Sequence, residues 1–244
     1  MQASPGDADV AAAAKLLGDE TRAAICAALL DGSAHTAGEL ARAGGVSPST
    51  ASGHLSLLVD GGLLTELRQG RCHFFRLAGP EVAHAVEALA VIAPPTTVTS
   101  LRRSDAARAL RSARTCYDHL AGRLGIALTD ALVRSGAITT DFTPGDLSAL
   151  GELAVAPPDS GRRPWVRPCL DWSERRFHAA GLLPAQLLRE LFALGWLERT
   201  PVPRAVRLTS LGERGLADLF GLEVDRHSGQ ALEPGRSAPA SAAG

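Results

Sequence analysis

The sequence is sparing with lysine, methionine, aromatic rings and cysteine. Lys15 is its only lysine, and it holds one methionine, one tyrosine, three tryptophans and six phenylalanines in 244 residues. With a formal net charge of −1 it is no bulk polycation, although a local basic patch still suffices for a nucleic-acid binder. Four cysteines, Cys26, Cys72, Cys116 and Cys169, are too few for a disulfide scaffold. No apolar run reaches the roughly 18 residues that span a bilayer. The start, Met1-Gln-Ala-Ser-Pro-Gly-Asp7, lacks the basic and apolar blocks of a secretory leader. The expectation is a cytoplasmic protein with no membrane partner.

What is present suits a folded chain: 45% of residues are apolar and 21% charged, in a length that fits one large domain or two ordinary ones. Charge is uneven. Residues 1–95 carry 6 basic against 10 acidic residues, a net −4, and residues 96–244 carry 19 against 16, a net +3.

Periodicity and punctuation predict a mainly α protein with short β-hairpins. After a disordered start, 1–8, come helices over 9–17 and 20–31. Thr36 with Glu39 forms a capping-box signature for a helix over 36–43. Gly44-Gly45-Val46 makes a turn, and Ser47-Pro48 opens a helix that runs to Asp60, with Ser47 as N-cap and Pro48 in the first turn. Two β-prone runs, Leu63–Leu67 and Cys72–Leu77, flank the hairpin signal Arg68-Gln69-Gly70-Arg71, and Pro80 starts a helix to Ile92. A linker is expected at 93–101, an α-rich sensor or scaffold domain at 102–222, and a disordered tail at 223–244. In the second domain His119-Leu-Ala-Gly122 returns as His178-Ala-Ala-Gly181, and Cys116-Tyr-Asp118 returns as Cys169-Leu-Asp171. This reads as an internal duplication, with winged-helix-like features in its second copy.

Helix, tight turn and helix over 36–60 make a helix-turn-helix. The outward face of its second helix presents Ser49, Thr50, Ser52, Gly53, His54 and Ser56. Short hydroxyl and imidazole side chains there allow close approach to base edges and phosphates, as does the small Ala51. Ser47 and Arg42 border that face, and the hairpin tip offers Arg68, Gln69 and Arg71 to the duplex backbone.

Together, Leu17-Gly-Asp-Glu-Thr-Arg22, Ala37-Gly-Glu-Leu-Ala41, Val46-Ser-Pro-Ser-Thr-Ala-Ser52-Gly-His54-Leu55, Asp60-Gly-Gly-Leu-Leu64, Arg68-Gln-Gly-Arg71 and Phe75-Arg-Leu77 resemble the ArsR-type winged helix-turn-helix regulators over residues 9–92. The block around Cys116 and that around Cys169 are similar to the C-terminal extension of a larger subgroup of them. The resemblance implies a sequence-specific transcriptional regulator. It would bind a palindromic double-stranded operator as a homodimer, joined through the first helix and the 80–92 helix, and would repress until an effector releases it. The other class that fits is a winged-helix protein-interaction module without a DNA role.

The effector that the resemblance implies would be a metal ion or a small molecule. Residues 37–42 hold no cysteine, so the thiol sites that many family members carry there are absent. Glu81, His84 and Glu87 share a face of the 80–92 helix as a candidate metal site. Cys116 and His119, read as one turn of helix, form with Cys169 and His178 a second candidate metal or effector set around one pocket. Cys169, read as the first turn of a helix among arginines, is a candidate reactive thiolate, which makes a metal- or thiol-responsive regulator a further alternative. Trp165 and Trp172 are candidate lining for an apolar ligand pocket, while Cys26, Cys72 and Trp196 read as packing residues. No P-loop, dinucleotide fingerprint or nucleophile elbow occurs, so catalysis is not expected.

Overall fold

The computed structural model describes residues 7–94, 101–151, 153–157, 163–225, 228 and 230–231. The chain divides into two compact units, residues 1–94 with 115–118, and residues 95–114 with 119–244.

In the first unit, α1 (Val10–Leu17) and α2 (Glu20–Ala28) are each capped by an aspartate. Asp9 accepts from the Ala12 N–H and Asp19 from the Arg22 N–H. A single 3₁₀ turn, Leu29–Asp31, leads to β1 (His35–Thr36). Then follow α3 (Ala37–Ala43), α4 (Pro48–Asp60), β2 (Leu64–Gln69), β3 (Cys72–Leu77) and α5 (Pro80–Ile92). Both reciprocal bonds of the Thr36/Glu39 capping box form, so the start of α3 leaves two fewer orphan donors. The sheet order is β1-β3-β2, all antiparallel, with Leu64 opposite Leu77 and Gln69 opposite Cys72. Ile25, Leu29, Leu40, Leu55, Leu58, Phe75 and Leu77 close the core beneath these elements. The expected helices and hairpin all form; the sequence reading missed only the two-residue β1, too short to carry an alternation.

The second unit holds α6 (Leu101–Ser112) and Arg114, the first residue of strand β4 (Arg114–Cys116), whose other residues count with the first unit; β5 (His119–Ala121), the hairpin partner of β4, and α7 (Gly122–Arg134) follow. A second hairpin, β6 (Arg167–Leu170) and β7 (Phe177–Ala180), leads into α8 (Leu182–Ala193). A third, β8 (Leu197–Arg199) and β9 (Val206–Leu208), precedes α9 (Ser210–Phe220). Leu124, Leu128 and Leu132 of α7 face Leu183, Leu187 and Leu191 of α8 in one core, each set at a spacing of four that keeps it on one helix face.

The repeated His-x-Ala-Gly stretch has a physical role in both places. A strand ends and the chain turns through a glycine into a helix. Gly122 has φ +77° and Gly181 φ +113°, and a Cβ there would lie 2.8 Å from the Arg111 carbonyl oxygen and 2.7 Å from that of Trp165. Only glycine fits either corner. Past these helices the two stretches part: β8 and β9 form a hairpin, whereas the corresponding region after α7 has only an isolated bridge between Ile138 and Pro144.

Several expectations change. Cys116, His119 and Cys169 lie on strands, not in helical turns. The tail does not begin at 223, because Leu222 and Val224 are buried in the second core and β10 (Val224–Asp225) pairs with β11 (Gln230–Ala231). The expected disordered residues 1–6 and 232–244, and positions 95–100 of the expected linker, lie outside the described residues.

Candidate nucleic-acid interface and a buried thiol-imidazole cluster

Helix α4 buries Ala51, Leu55 and Leu58 and turns the rest of its first three turns outward. Ser49, Thr50, Ser52, Gly53 and Ser56 are exposed, as expected. Ala51 is fully buried and belongs to the core, not the outer face. At the N-terminus the Ser47 hydroxyl accepts from the Thr50 N–H at 3.2 Å and lies 2.9 Å from both the Ser49 and the Thr50 hydroxyl oxygens. These three hydroxyls form one hydrogen-bonded cluster over the positive end of the helix dipole. The Ser56 hydroxyl donates to the Ser52 carbonyl at 3.1 Å.

His54 differs from its neighbours. Its side chain is only 19% exposed, and Nδ1 faces the Asp19 carboxylate at 3.6 Å. It joins α4 to the start of α2 along one edge. Asp19 itself is held below the usual carboxylate range, first by the Arg22 N–H.

The wing comprises β2 and β3, joined by Gly70-Arg71. Gln69 and Arg71 are exposed, and Arg71 makes no ion pair among the described residues. Arg68 stands beside Glu66 at 3.3 Å, and Glu66 also takes a short hydrogen bond with His73. Part of the Arg68 charge is therefore met within the wing. Arg42 is exposed in the last turn of α3. A groove of about 440 Å³ separates α4 from the sheet, lined by Ser52, Ser56, Glu66 and His73 among others. Cys72 is exposed on β3, against the packing role expected for it, whereas Cys26 is buried and desolvation pushes its thiol up to about 11.

On α5, Glu87 is buried while Glu81 and His84 are exposed, so the three expected ligands do not converge. Each step of three residues shifts the face by about 60°, so Glu87 stands about 120° around the helix from Glu81, enough to carry it into the core.

The other candidate set does converge. One donor atom from each of Cys116, His119, Cys169 and His178 lies within 4.8 Å of the others, and all four residues are buried. Cys169 and His178 are direct cross-strand partners on β6 and β7. His119 and His178 bring their Nε2 atoms to 3.1 Å. These three belong to the second unit; Cys116 is held beside His119 by the β4–β5 hairpin itself, whose strands are joined by two residues.

Behind the cluster lies a group that sequence reading did not single out. The Asp171 carboxylate accepts from the Gly122 N–H at 2.7 Å and the Ser173 hydroxyl at 2.7 Å, and pairs with Arg114 at 3.1 Å. Both members of the ion pair are completely buried. Arg114 also donates to the Leu110 carbonyl and the Ser173 hydroxyl, and its guanidinium stacks 4.6 Å from the Trp172 ring centroid. Burial alone would raise the Asp171 pKa; Arg114, Ser173 and Gly122 outweigh it and bring it down to about 2. The Asp171 Oδ2 is also 3.7 Å from His178 Nδ1. Burial pushes His178 down, towards the neutral imidazole. The only sequence signal for this group was the recurring Cys-x-Asp.

Two readings fall here. Trp172 is engaged by Arg114 and Trp165 packs on the second core, so they do not frame an apolar ligand pocket. The grounds for a reactive Cys169 thiolate also go, since the residue is buried on a strand and two of the arginines near it in sequence are committed elsewhere. Arg176 pairs with Asp130 at 2.9 Å and Arg163 donates to the Gly181 carbonyl.

Removing one partner of a buried ion pair strands the other charge. Asp171→Asn is expected to destabilise the second unit by about 3–5 kcal/mol. Chemical denaturation followed by tryptophan fluorescence checks this, because Trp165, Trp172 and Trp196 all lie in that unit.

A helix-turn-helix domain model matches residues 17–66. An uncharacterized HTH-type transcriptional regulator of Bacillus subtilis, YdfF, is 37% identical over 212 residues, covering 84% of this chain and 94% of that protein. Among solved structures, the homodimeric winged helix-turn-helix DNA-binding domain of Mb0332 from Mycobacterium bovis, a possible ArsR-family regulator, is 29% identical over 36% of this chain and 87% of that one (TM-score 0.32). The cadmium metal-sensor CMTR from Mycobacterium tuberculosis is 34% identical over 37% of this chain and 95% of that one (TM-score 0.31). The 37% identity to the Bacillus subtilis regulator over most of both chains shows that this chain belongs to the HTH-type transcriptional regulators, in line with the ArsR-type resemblance of its sequence.

Proposed function

We propose that this regulator is a repressor that binds a palindromic operator as a homodimer, with α4 in the major groove and the wing on the adjacent backbone. The observation that carries the duplex contact is the outer face of α4. It combines three clustered hydroxyls at a helix N-terminus with an exposed mid-helix glycine, and a Cβ at Gly53 would meet nothing within 4 Å. Nothing in the packing asks for glycine there, and it costs roughly 1 kcal/mol against alanine. Close approach of a partner surface supplies a reason. Ser49, Thr50, Ser52 and Ser56 are the groove-facing candidates, and His54, held toward Asp19, sets the edge of that face. Arg71 and Gln69 at the wing tip, with Arg68 and Arg42, serve the phosphates.

The homodimer reading rests on α1 and α5. Helix α1 buries none of its residues, and Val10 is 74%, Leu89 45% and Ile92 78% exposed. A second copy that covers these side chains would place two recognition helices for two half-sites. In this reading the second unit senses the effector or holds the pair together.

Three measurements test the proposal. Arg71→Ala is expected to weaken binding to specific and nonspecific duplexes alike and to flatten the plot of log affinity against log salt by about 0.9 per lost phosphate contact. An unchanged slope removes the wing from the interface. Gly53→Ala is expected to raise the unfolding midpoint of the first unit while lowering operator affinity at least tenfold; higher stability with unaltered affinity places the duplex elsewhere. The double change Leu89→Glu, Ile92→Glu should yield a monomer in light scattering. If the protein remains dimeric, the pairing surface lies off α5.

A further inference from the structure

We propose that Cys116, His119, Cys169 and His178 form a closed metal site that takes one zinc-like ion of tetrahedral preference. The inference does not rest on the DNA-binding reading, because it concerns the two hairpins of the C-terminal region.

The donor set is the first argument. Two thiols and two imidazoles are the ligands that borderline and soft ions choose, and no carboxylate oxygen is among them, which disfavours calcium and magnesium. Geometry is the second. Metal–nitrogen bonds of about 2.0–2.1 Å at a tetrahedral angle put two nitrogens about 3.3–3.4 Å apart. The two Nε2 atoms stand at 3.1 Å, and the whole set spans no more than 4.8 Å. A small contraction of the hairpins around an ion brings the sulfurs to bonding distance.

Charge is the third argument. Two thiolates and two neutral imidazoles cancel a divalent cation, so the ligated site adds no net charge to an interior that tolerates none unpaired. The neighbouring Arg114–Asp171 pair is already neutral. That pair also supplies what metal-binding histidines usually have. Asp171 faces Nδ1 of His178, leaving Nε2 turned to the shared centre. All four coordination positions come from the protein and all four residues are at most 3% exposed, so no position is open for a substrate. The ion therefore binds the β4–β5 hairpin to the β6–β7 hairpin and does no chemistry of its own.

The test uses the full chain, purified with a reductant and without chelator. Elemental analysis is expected to find close to one zinc per chain. Replacement by cobalt(II) is expected to give an intense thiolate-to-cobalt charge-transfer band with the visible ligand-field bands of a tetrahedral site. Cys169→Ser and His178→Ala should each lose most of the metal, while Cys72→Ser, on the exposed wing, should retain it. Ligand variants can fail to fold, so a second readout is the wild-type protein itself: excess zinc should raise, and apo preparation should lower, its tryptophan-detected unfolding midpoint. Wild-type protein that takes up neither zinc nor cobalt overturns the proposal. So does full metal content in Cys169→Ser, or a Cys116–Cys169 disulfide that forms in air and is unaffected by added zinc. None of these readouts involves DNA, so their failure leaves the operator-binding reading intact.

Discussion

The second unit is organised around one buried charge pair. Arg114 sits on the first strand of one hairpin and Asp171 just beyond the first strand of another, fully shielded from water. Such a pair is expensive to desolvate and stable only when its remaining donors and acceptors are also met. Here most of them are: the Gly122 amide and the Ser173 hydroxyl serve Asp171, and the Leu110 carbonyl, the Ser173 hydroxyl and the Trp172 ring serve Arg114, whose Nε alone meets neither acceptor nor carboxylate among the described residues. Each partner draws in a different segment, so the pair fixes which strands, turn and helix start come together. The two cysteines and two histidines converge because the strands that carry them are already positioned by this pair and by the glycine corners at 122 and 181.

The first unit relies on a different economy. Its net charge is negative, and α4 carries no lysine or arginine. Long-range attraction to a duplex is therefore weak, and the proposed binding would depend on what happens at contact: helix-end amides, hydroxyls set at fixed spacing by the Ser47 cap, and a few exposed arginines. In the proposed interface such a surface would discriminate by fit more than by charge, and the proposed pairing of two copies would multiply the affinity of one.

The order and nature of the first unit's elements were legible in the sequence, because each boundary has a local chemical cause. Asp9, Asp19, Thr36 and Ser47 cap four successive helices, and Gly70 marks the wing turn. In the C-terminal region the winged-helix-like strands β8 and β9 were legible after a Gly-Trp turn, but strands β4 to β7 were not. Residues 114–121 turn through Tyr117-Asp118, with Tyr117 at φ 61°, a conformation that a bulky side chain seldom adopts and that no Gly or Asn announces. The second hairpin turns through Arg175, also at positive φ. Strands of three or four residues are too short for alternation to show, so Cys-x-x-His read as one helical turn. Even so, the recurring motifs did identify the four residues that the fold brings together. The reading of Ala51 as surface and of Glu87 as a ligand failed for one shared reason: small or charged residues were assigned outward by type, and helix phase overrode that.

Enclosure of the four donors has a kinetic side. Cys116, His119, Cys169 and His178 are each at most 3% exposed. Whatever is held there leaves only when the strands part, so its residence time is governed by local opening of the hairpins and hardly at all by scavengers outside. A centre built this way registers the conditions under which the polypeptide matured and retains that record, instead of following moment-to-moment changes in its surroundings.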